Sequence, residues 1–221
     1  MSMEAGAITA RTVLTLLLAT WPRRLLVGGL LLVPVILAAL GGFGEAEARS
    51  YDATPGEDID LGPMTIRPQA YFVSDETSRS DLELIDGATA WLGVIVEVEN
   101  TTDSPISLTF PGPASDALVP QLAEGALLSA TDVVPSDAYR VADGTMGSNA
   151  LPSVRTEVAL LWPIADAESV PETLTATMTE SMWTFGPMSN ENRWMSLGDV
   201  WTVELPRTQL PPPLFEPEDE F

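Results

Sequence analysis

The chain has 221 residues, with 32 acidic side chains against 10 arginines, no lysine, histidine or cysteine, and a formal net charge of −22. Without histidine or cysteine, Ser-His-Asp and Cys-His catalysis, zinc held by those ligands, iron–sulfur clusters and disulfides are all excluded, and the acidic excess repels nucleic acid phosphates and anionic headgroups. Carboxylate-pair chemistry, cation binding through oxygen and non-catalytic binding remain; no motif singles out one carboxylate pair, so neither enzyme activity nor a cofactor is expected.

The first apolar segment, Thr12–Trp21, is too short to cross a bilayer and is cut off by Pro22, Arg23 and Arg24. Read as a helix in the inner interface, residues 1–21 put Trp21 at headgroup depth. A leucine-rich tail and a docking helix for another membrane protein, presenting Leu16 and Leu17, are the alternatives. The next segment, Leu25–Leu40, runs for sixteen residues without a charge, and with its flanks it predicts one transmembrane helix over 22–44. Pro34 kinks it, and Gly28 and Gly29 offer a surface that another helix can approach closely.

Arg11, Arg23 and Arg24 precede this run and Glu45 and Glu47 follow it, which places the N-terminus in the cytoplasm and the rest outside. Ala46-Glu47-Ala48 also fits a signal-peptidase site. The length of the apolar run and of the region before it favours an anchor over a cleaved signal. Residues 45–221 carry seven arginines against 31 acids, a net −24, so the exterior part holds the acidity.

Residues 45–62, rich in Gly, Ala, Glu and Asp, read as a linker, and a β-sandwich is predicted over 63–205. Short apolar pieces at Met64, Ile66 and Ala70–Val73 flank Pro68. The strongest strand signal is Ala90–Glu99, with Leu92, Val94, Val96 and Val98 on one face, and it should be central. Asn100 to Pro105 is dense turn chemistry, so Ile106–Phe110 is expected to return as the other half of a hairpin.

The order WLGVIVEVENTTDSPISL over 91–108 resembles the extracellular immunoglobulin-like domains of bacterial membrane-anchored proteins and lipoproteins grouped with the domain of unknown function numbered 4352. The resemblance implies that Asn100 begins a turn between two sandwich strands and that the domain lies outside the cell membrane; it brings no catalytic residues. Such domains often follow a lipobox cysteine. This chain has none, so the spanning helix must anchor it.

Gly112–Gly125 reads as a loop with Leu118, Val119 and Leu122 as anchors; Leu127–Val134 and Ala138–Val141 are short strand candidates. Val154–Trp162 alternates with Val154, Val158, Leu160 and Trp162 inward. Thr173–Phe185 sets Leu174, Ala176 and Met178 against a threonine row that suits a half-buried sheet. A turn is expected at Asn190–Arg193, then Val200–Leu205 as the last of seven to nine strands. Residues 206–221, with Pro211-Pro212-Pro213 and LFEPEDEF, read as an extended, solvated tail, or a docking peptide through Leu214, Phe215 and Phe221.

Two features point to binding. Trp183, Met188, Trp194 and Met195, with Met182, surround the predicted turn and form an exposed apolar patch if they do not pack inward. The acids Asp52, Glu57, Asp58 and Asp60, and then Asp75, Glu76, Asp81, Glu83 and Asp86, are oxygen-rich clusters; Asp75, Glu76 and Asp81 are the candidates for Ca2+, though neither group has the order of a calcium loop. The sequence thus predicts a mainly β protein: an immunoglobulin-like antiparallel β-sandwich outside the membrane, preceded by one transmembrane helix and a short interfacial helix. Its expected partners are the lipid bilayer and another integral membrane protein, not nucleic acid. The expected role is a non-catalytic accessory or binding subunit of a cell-envelope complex, with a stand-alone surface module for a solute, peptide or Ca2+ as the alternative.

Overall fold

The computed structural model describes residues 48–75, 84–109, 116–128, 135–186 and 191–214. The chain divides into two compact units, Met1–Glu47 and Ala48–Phe221, and every described residue belongs to the second. The expected helices at 1–21 and 22–44, with Leu16, Leu17, Gly28 and Gly29, lie outside the described residues. No helix among the described residues is long and apolar enough to cross a membrane.

The second unit is mainly β and sandwich-like. Its strands are β1 (Ser50–Ala53), β2 (Ile59–Asp60), β3 (Met64–Ser74), β4 (Ala90–Asn100), β5 (Ile106–Ser107), β6 (Leu118–Pro120), β7 (Asp137–Arg140), β8 (Asn149–Ala150), β9 (Arg155–Ile164), β10 (Thr173–Gly186) and β11 (Glu191–Pro206). One sheet has the order β1-β11-β10-β6, a second has β2-β3-β4-β9-β7, and β5 pairs with β8 in a small third. Among the described strands all pairings are antiparallel except β1 with β11, apart from single parallel bridges such as Tyr71 with Arg207. The main core forms where Leu92, Val94, Val96 and Val98 of β4 and Val158, Leu160 and Trp162 of β9 meet Leu174, Ala176 and Met178 of β10 and Val203 and Leu205 of β11. The alternation in these strands buries one side of each sheet, as its period of two requires. β4 is central, between β3 and β9, as its sequence predicts.

The other side of β4 is also covered. Phe72, Trp91, Ile95, Tyr139, Ala159 and Leu161 form a second core, closed by Leu214 at 1% exposure and flanked by Leu84 and Leu210. Gly93 makes this possible: a Cβ there would lie 2.1 Å from the Phe72 ring, which crosses directly over β4. Only glycine lets the ring lie so close to the backbone.

Several expectations are corrected. Residues 50–61 are not linker: β1 adds to β11, Tyr51 stacks on Trp201 with centroids 5.6 Å apart, and Leu61 is fully buried. Ile106 does not return along β4, because β3 and β9 already occupy both edges of that strand; β5 crosses to pair with β8 instead. The pieces around Pro68 form one strand, β3, with a bulge between Pro68 and Ala70. Two anchors of the expected loop, Leu118 and Val119, belong to β6, and Val154 is exposed ahead of β9 rather than inward. Asn192 and Arg193 lie in β11, opposite Phe185 and Thr184, not in a turn. Eleven strands among the described residues exceed the expected seven to nine. The segment after Pro206 does have a core to join: Arg207 bridges to Tyr71, Thr208 N donates to Tyr71 O at 2.7 Å, and Leu214 seals the second core. Residues 215–221 lie outside the described residues.

Asn100 turns the chain out of the sheet. Fully buried, it donates through Nδ2 to Ser104 O at 2.7 Å and Ala150 O at 2.9 Å, and its Oδ1 accepts from Thr102 N and Thr102 Oγ1, both at 2.8 Å. That uses the whole hydrogen-bonding capacity of the amide. Asn100→Asp, which keeps the shape but faces acceptors with acceptors, should destabilise the domain by at least about 2 kcal/mol in urea unfolding. Leu214→Ala should cost about 2–3 kcal/mol in the same measurement, whereas a tail with no packing role would leave the midpoint unchanged.

Candidate functional site

The patch expected around Trp183 and Trp194 is a two-stranded ribbon. β6 pairs with β10 only at residues 176–178 and β1 with β11 only at 200–203, so these neighbours stop at the base of the hairpin. Beyond them, from Met182↔Met195 to Gly186↔Glu191, β10 and β11 pair with each other alone among the described residues. Thr, Trp and Phe favour strand and pair well across it, which lets the ladder continue without a third strand. Met188 lies outside the described residues.

The base is built to change direction. Between the pairs Thr179↔Val200 and Ser181↔Ser196 the register shifts, leaving Leu197, Gly198 and Asp199 opposite Glu180. A Cβ on Gly198 would lie 2.5 Å from Glu180 Oε2, so the missing side chain makes room for the glutamate, which accepts from Asp199 N at 3.3 Å. Extra residues on one strand bend it and increase its twist. On the other edge Ser181 N donates to Leu61 O at 2.9 Å. The next residue, Gly62, has φ +90°, and a Cβ there would meet Ser181 O at 2.3 Å and the Trp194 ring at 3.2 Å. Gly62 N in turn donates to Asp60 Oδ1 at 2.9 Å, and Thr101 Oγ1 donates to Gly62 O at 3.0 Å. The turn after β2 therefore holds the ribbon's base to the end of β4.

Beyond this clamp the ribbon is apolar and open to solvent. Trp183 is 58% exposed, and its ring meets Trp194 edge to face with centroids 5.4 Å apart. Trp194 and Met195 are half-buried; Met182, Phe185 and Leu197 are more than half exposed. Successive cross-strand pairs alternate between the two faces of a ribbon, so Trp183–Trp194 marks one face and Met182–Met195 the other. Among the described residues no backbone group pairs with the outer edge of 182–186 or of 191–196.

The second apolar opening is a cavity of about 340 Å³ between Val98, Leu108, Arg140, Thr156 and Val158, with the exposed Met146, Leu151 and Val154 around it. Arg140 is the one cation among the described residues of its lining, and its Nε donates to Thr145 Oγ1 at 2.9 Å. Asp143, 3.7 Å from that guanidinium, has its carboxyl held below the usual range, chiefly by the Thr145 hydroxyl and then by the Thr145 amide. No sequence signal announces this opening, since its lining comes from five separate segments.

The acid clusters resolve differently. Asp75 is exposed at the end of β3, while Glu76 and Asp81 lie outside the described residues. Glu57 Oε2 accepts from Thr54 N and Oγ1, and Asp60 serves Gly62. Asp58 takes two bonds from Arg67, Nε to Oδ1 and Nη2 to Oδ2, each 2.9 Å, with Arg155 at 3.4 Å; the same arginines reach Glu97 and Glu99. No group of three candidate metal ligands occurs among the described residues.

No family model and no curated protein matches the chain. Among solved structures, an uncharacterized β-sandwich protein from Clostridium difficile 630 is similar at 12% identity, covering 72% of this chain and 96% of its own, with a TM-score of 0.37. The yjhA protein from Bacillus subtilis is similar at 14% identity, covering 69% and 98%, with a TM-score of 0.35. At such scores neither likeness says anything about function.

The hydrogen bonds from Arg67 hold the Asp58 carboxyl below its ordinary value, against a smaller opposing effect of desolvation and with help from Arg155. A depressed carboxylate stabilises the fold fully above its unfolded pKa, and that contribution is lost as pH falls through the folded one. Asp58→Asn should therefore lower Tm near neutral pH, with the gap from the parent closing as the pH drops below about 4; a gap independent of pH would show that the charge is not what matters.

Proposed function

We propose that the chain is a non-catalytic, single-pass membrane protein that serves as an accessory or binding subunit of a cell-envelope complex. In this reading the N-terminal segments anchor it with the N-terminus in the cytoplasm, and residues 48–214 form an immunoglobulin-like domain outside the membrane. The observation that carries the binding role is the ribbon: Met182, Trp183, Phe185 and Leu197 stand exposed beyond the last flanking strand. Large apolar side chains gathered on one projecting element mark contact sites, because leaving them in water forgoes about 1.5–3 kcal/mol each on burial. The sequence supports the anchor through its uncharged run and its asymmetric arginines.

A second reading, a surface module for a small ligand, is favoured by one observation, the cavity beside Arg140. Its size falls within the range of small-molecule sites, and its lining is mainly apolar with one cation. Under that reading the domain alone would be stabilised by a ligand. Under the first, its partner is a protein.

Native membranes carrying the C-terminally tagged chain, extracted in mild detergent, separate the two. We expect the intact full-length chain to bring one integral membrane protein in fixed stoichiometry. A chain starting at Arg49 and arriving alone would contradict the accessory-subunit role and turn attention to the cavity.

A further inference from the structure

We infer that the ribbon of β10 and β11 is an insertion arm whose occupant is a protein cleft, apolar inside and rimmed by lysine or arginine. This rests on the accessory-subunit reading and specifies the chemistry of the partner. Three observations lead to it.

The first is the distribution of apolar groups over the ribbon. An element that lies flat on a partner needs one apolar face, as the alternation of strands allows. Here Trp183 and Phe185 stand on one face and Met182 on the other, all more than half exposed, with Leu197 displaced outward at the bulge. Burying all of them at once requires a surface that closes on the ribbon from both sides.

The second is the backbone. Among the described residues the outer edges of 182–186 and 191–196 have no strand beside them. Each unmet N–H or C=O taken into hydrocarbon costs several kcal/mol, which is why open sheet edges do not enter the bilayer core. The walls of a protein cleft satisfy such edges with side chains or with an added strand. The aromatic and methionine groups therefore point to a protein interior and not to lipid tails.

The third is charge. Residues 181–198 contain one acid, Glu191, and one cation, Arg193, and are neutral, while the domain that carries them is strongly negative. At the base stands a collar of three acids, Glu180 and Asp199 at the bulge and Asp60 at the end of β2, against one cation, Arg49. The Arg49 amide donates to Asp199 Oδ1 at 3.0 Å and its guanidinium is drawn to the same carboxylate, so the base keeps an excess of negative charge. A second copy of this chain would bring a like-charged body against this collar, at a cost that opposes self-association. A cleft edged with lysine or arginine gains attraction there while receiving the neutral ribbon.

The test uses the tagged full-length chain in native membranes, with Trp183→Ser, Met182→Ser and Phe185→Ser made separately. These side chains are more than half exposed, so the melting temperature of each variant should stay within about 5 °C of the parent, the loss of the Trp183–Trp194 ring contact included. Ile85→Ser, an exposed apolar residue outside the ribbon, serves as the control. Retention of the stoichiometric partner should fall about tenfold or more for Trp183→Ser, stay unchanged for the control, and weaken as salt is raised from about 0.05 to 0.5 M. Once the partner is identified, charge reversal at the basic rim of its cleft should reproduce the loss. Parent-like retention by all three ribbon variants, or retention indifferent to salt, overturns the inference and leaves the accessory-subunit role standing. Trp183-dependent flotation of the domain with phosphatidylcholine vesicles, or capture of a differently tagged copy of this chain in place of another protein, overturns it in favour of lipid or self-association. If the parent chain retains no partner at any salt concentration, the accessory-subunit role fails as well.

Discussion

The fold depends on β4 being buried on both sides. Its inner face meets β10 and β11 across the main core, and its outer face carries Trp91 and Ile95 under Phe72, Leu161 and Leu214. A strand in that position cannot be left half solvated, so the chain must return after its last strand to cover it. Thr208 and Leu214 make that return, bonded to Tyr71 and sealed over the sheet. With no disulfide to hold the two layers, these contacts and the saturated amide of Asn100 carry the cohesion that cysteines supply in many secreted domains.

The parts of the fold that are legible in the sequence are those fixed by local pattern. Period-two alternation locates β4, β9, β10 and the end of β11, and Thr175, Thr177 and Thr179 of β10 sit half-buried as that pattern implies. What escapes is set by distant partners. β1 is a four-residue strand with mostly exposed positions, and it is ordered by parallel pairing with residues about 150 positions later in the chain, which no local signal announces. The hairpin expected after Asn100 does not form, because the turn chemistry is real but both edges of β4 are taken. The prolines after 206 correctly indicate an extended path; they do not reveal that Leu210 and Leu214 have a surface to cover.

The ribbon is half legible. Trp183, Trp194 and the methionines stand out as a patch because they crowd one stretch, but the sequence suggests a turn over Asn190–Arg193 where the structure pairs Glu191, Asn192 and Arg193 with Gly186, Phe185 and Thr184. The difference matters for function. A loop adapts to its partner and loses entropy on binding, whereas a ribbon clamped at Gly62 and bent at Gly198 presents its side chains in a nearly fixed arrangement. The glycines at these two positions are explained by close approach of Ser181 and Glu180, a constraint visible only once the strands are folded together.

Insertion of the ribbon into a partner is tested by placing a photoreactive benzoylphenylalanine at position 183 of the full-length chain in native membranes. A second copy of the probe goes at Thr177, on the threonine face away from the ribbon. If the ribbon enters a partner's cleft, irradiation links position 183 to one protein, the same one that co-purifies with the chain, while position 177 gives no such product. Equal cross-linking at the two positions, or adducts only to lipid at position 183, would contradict it.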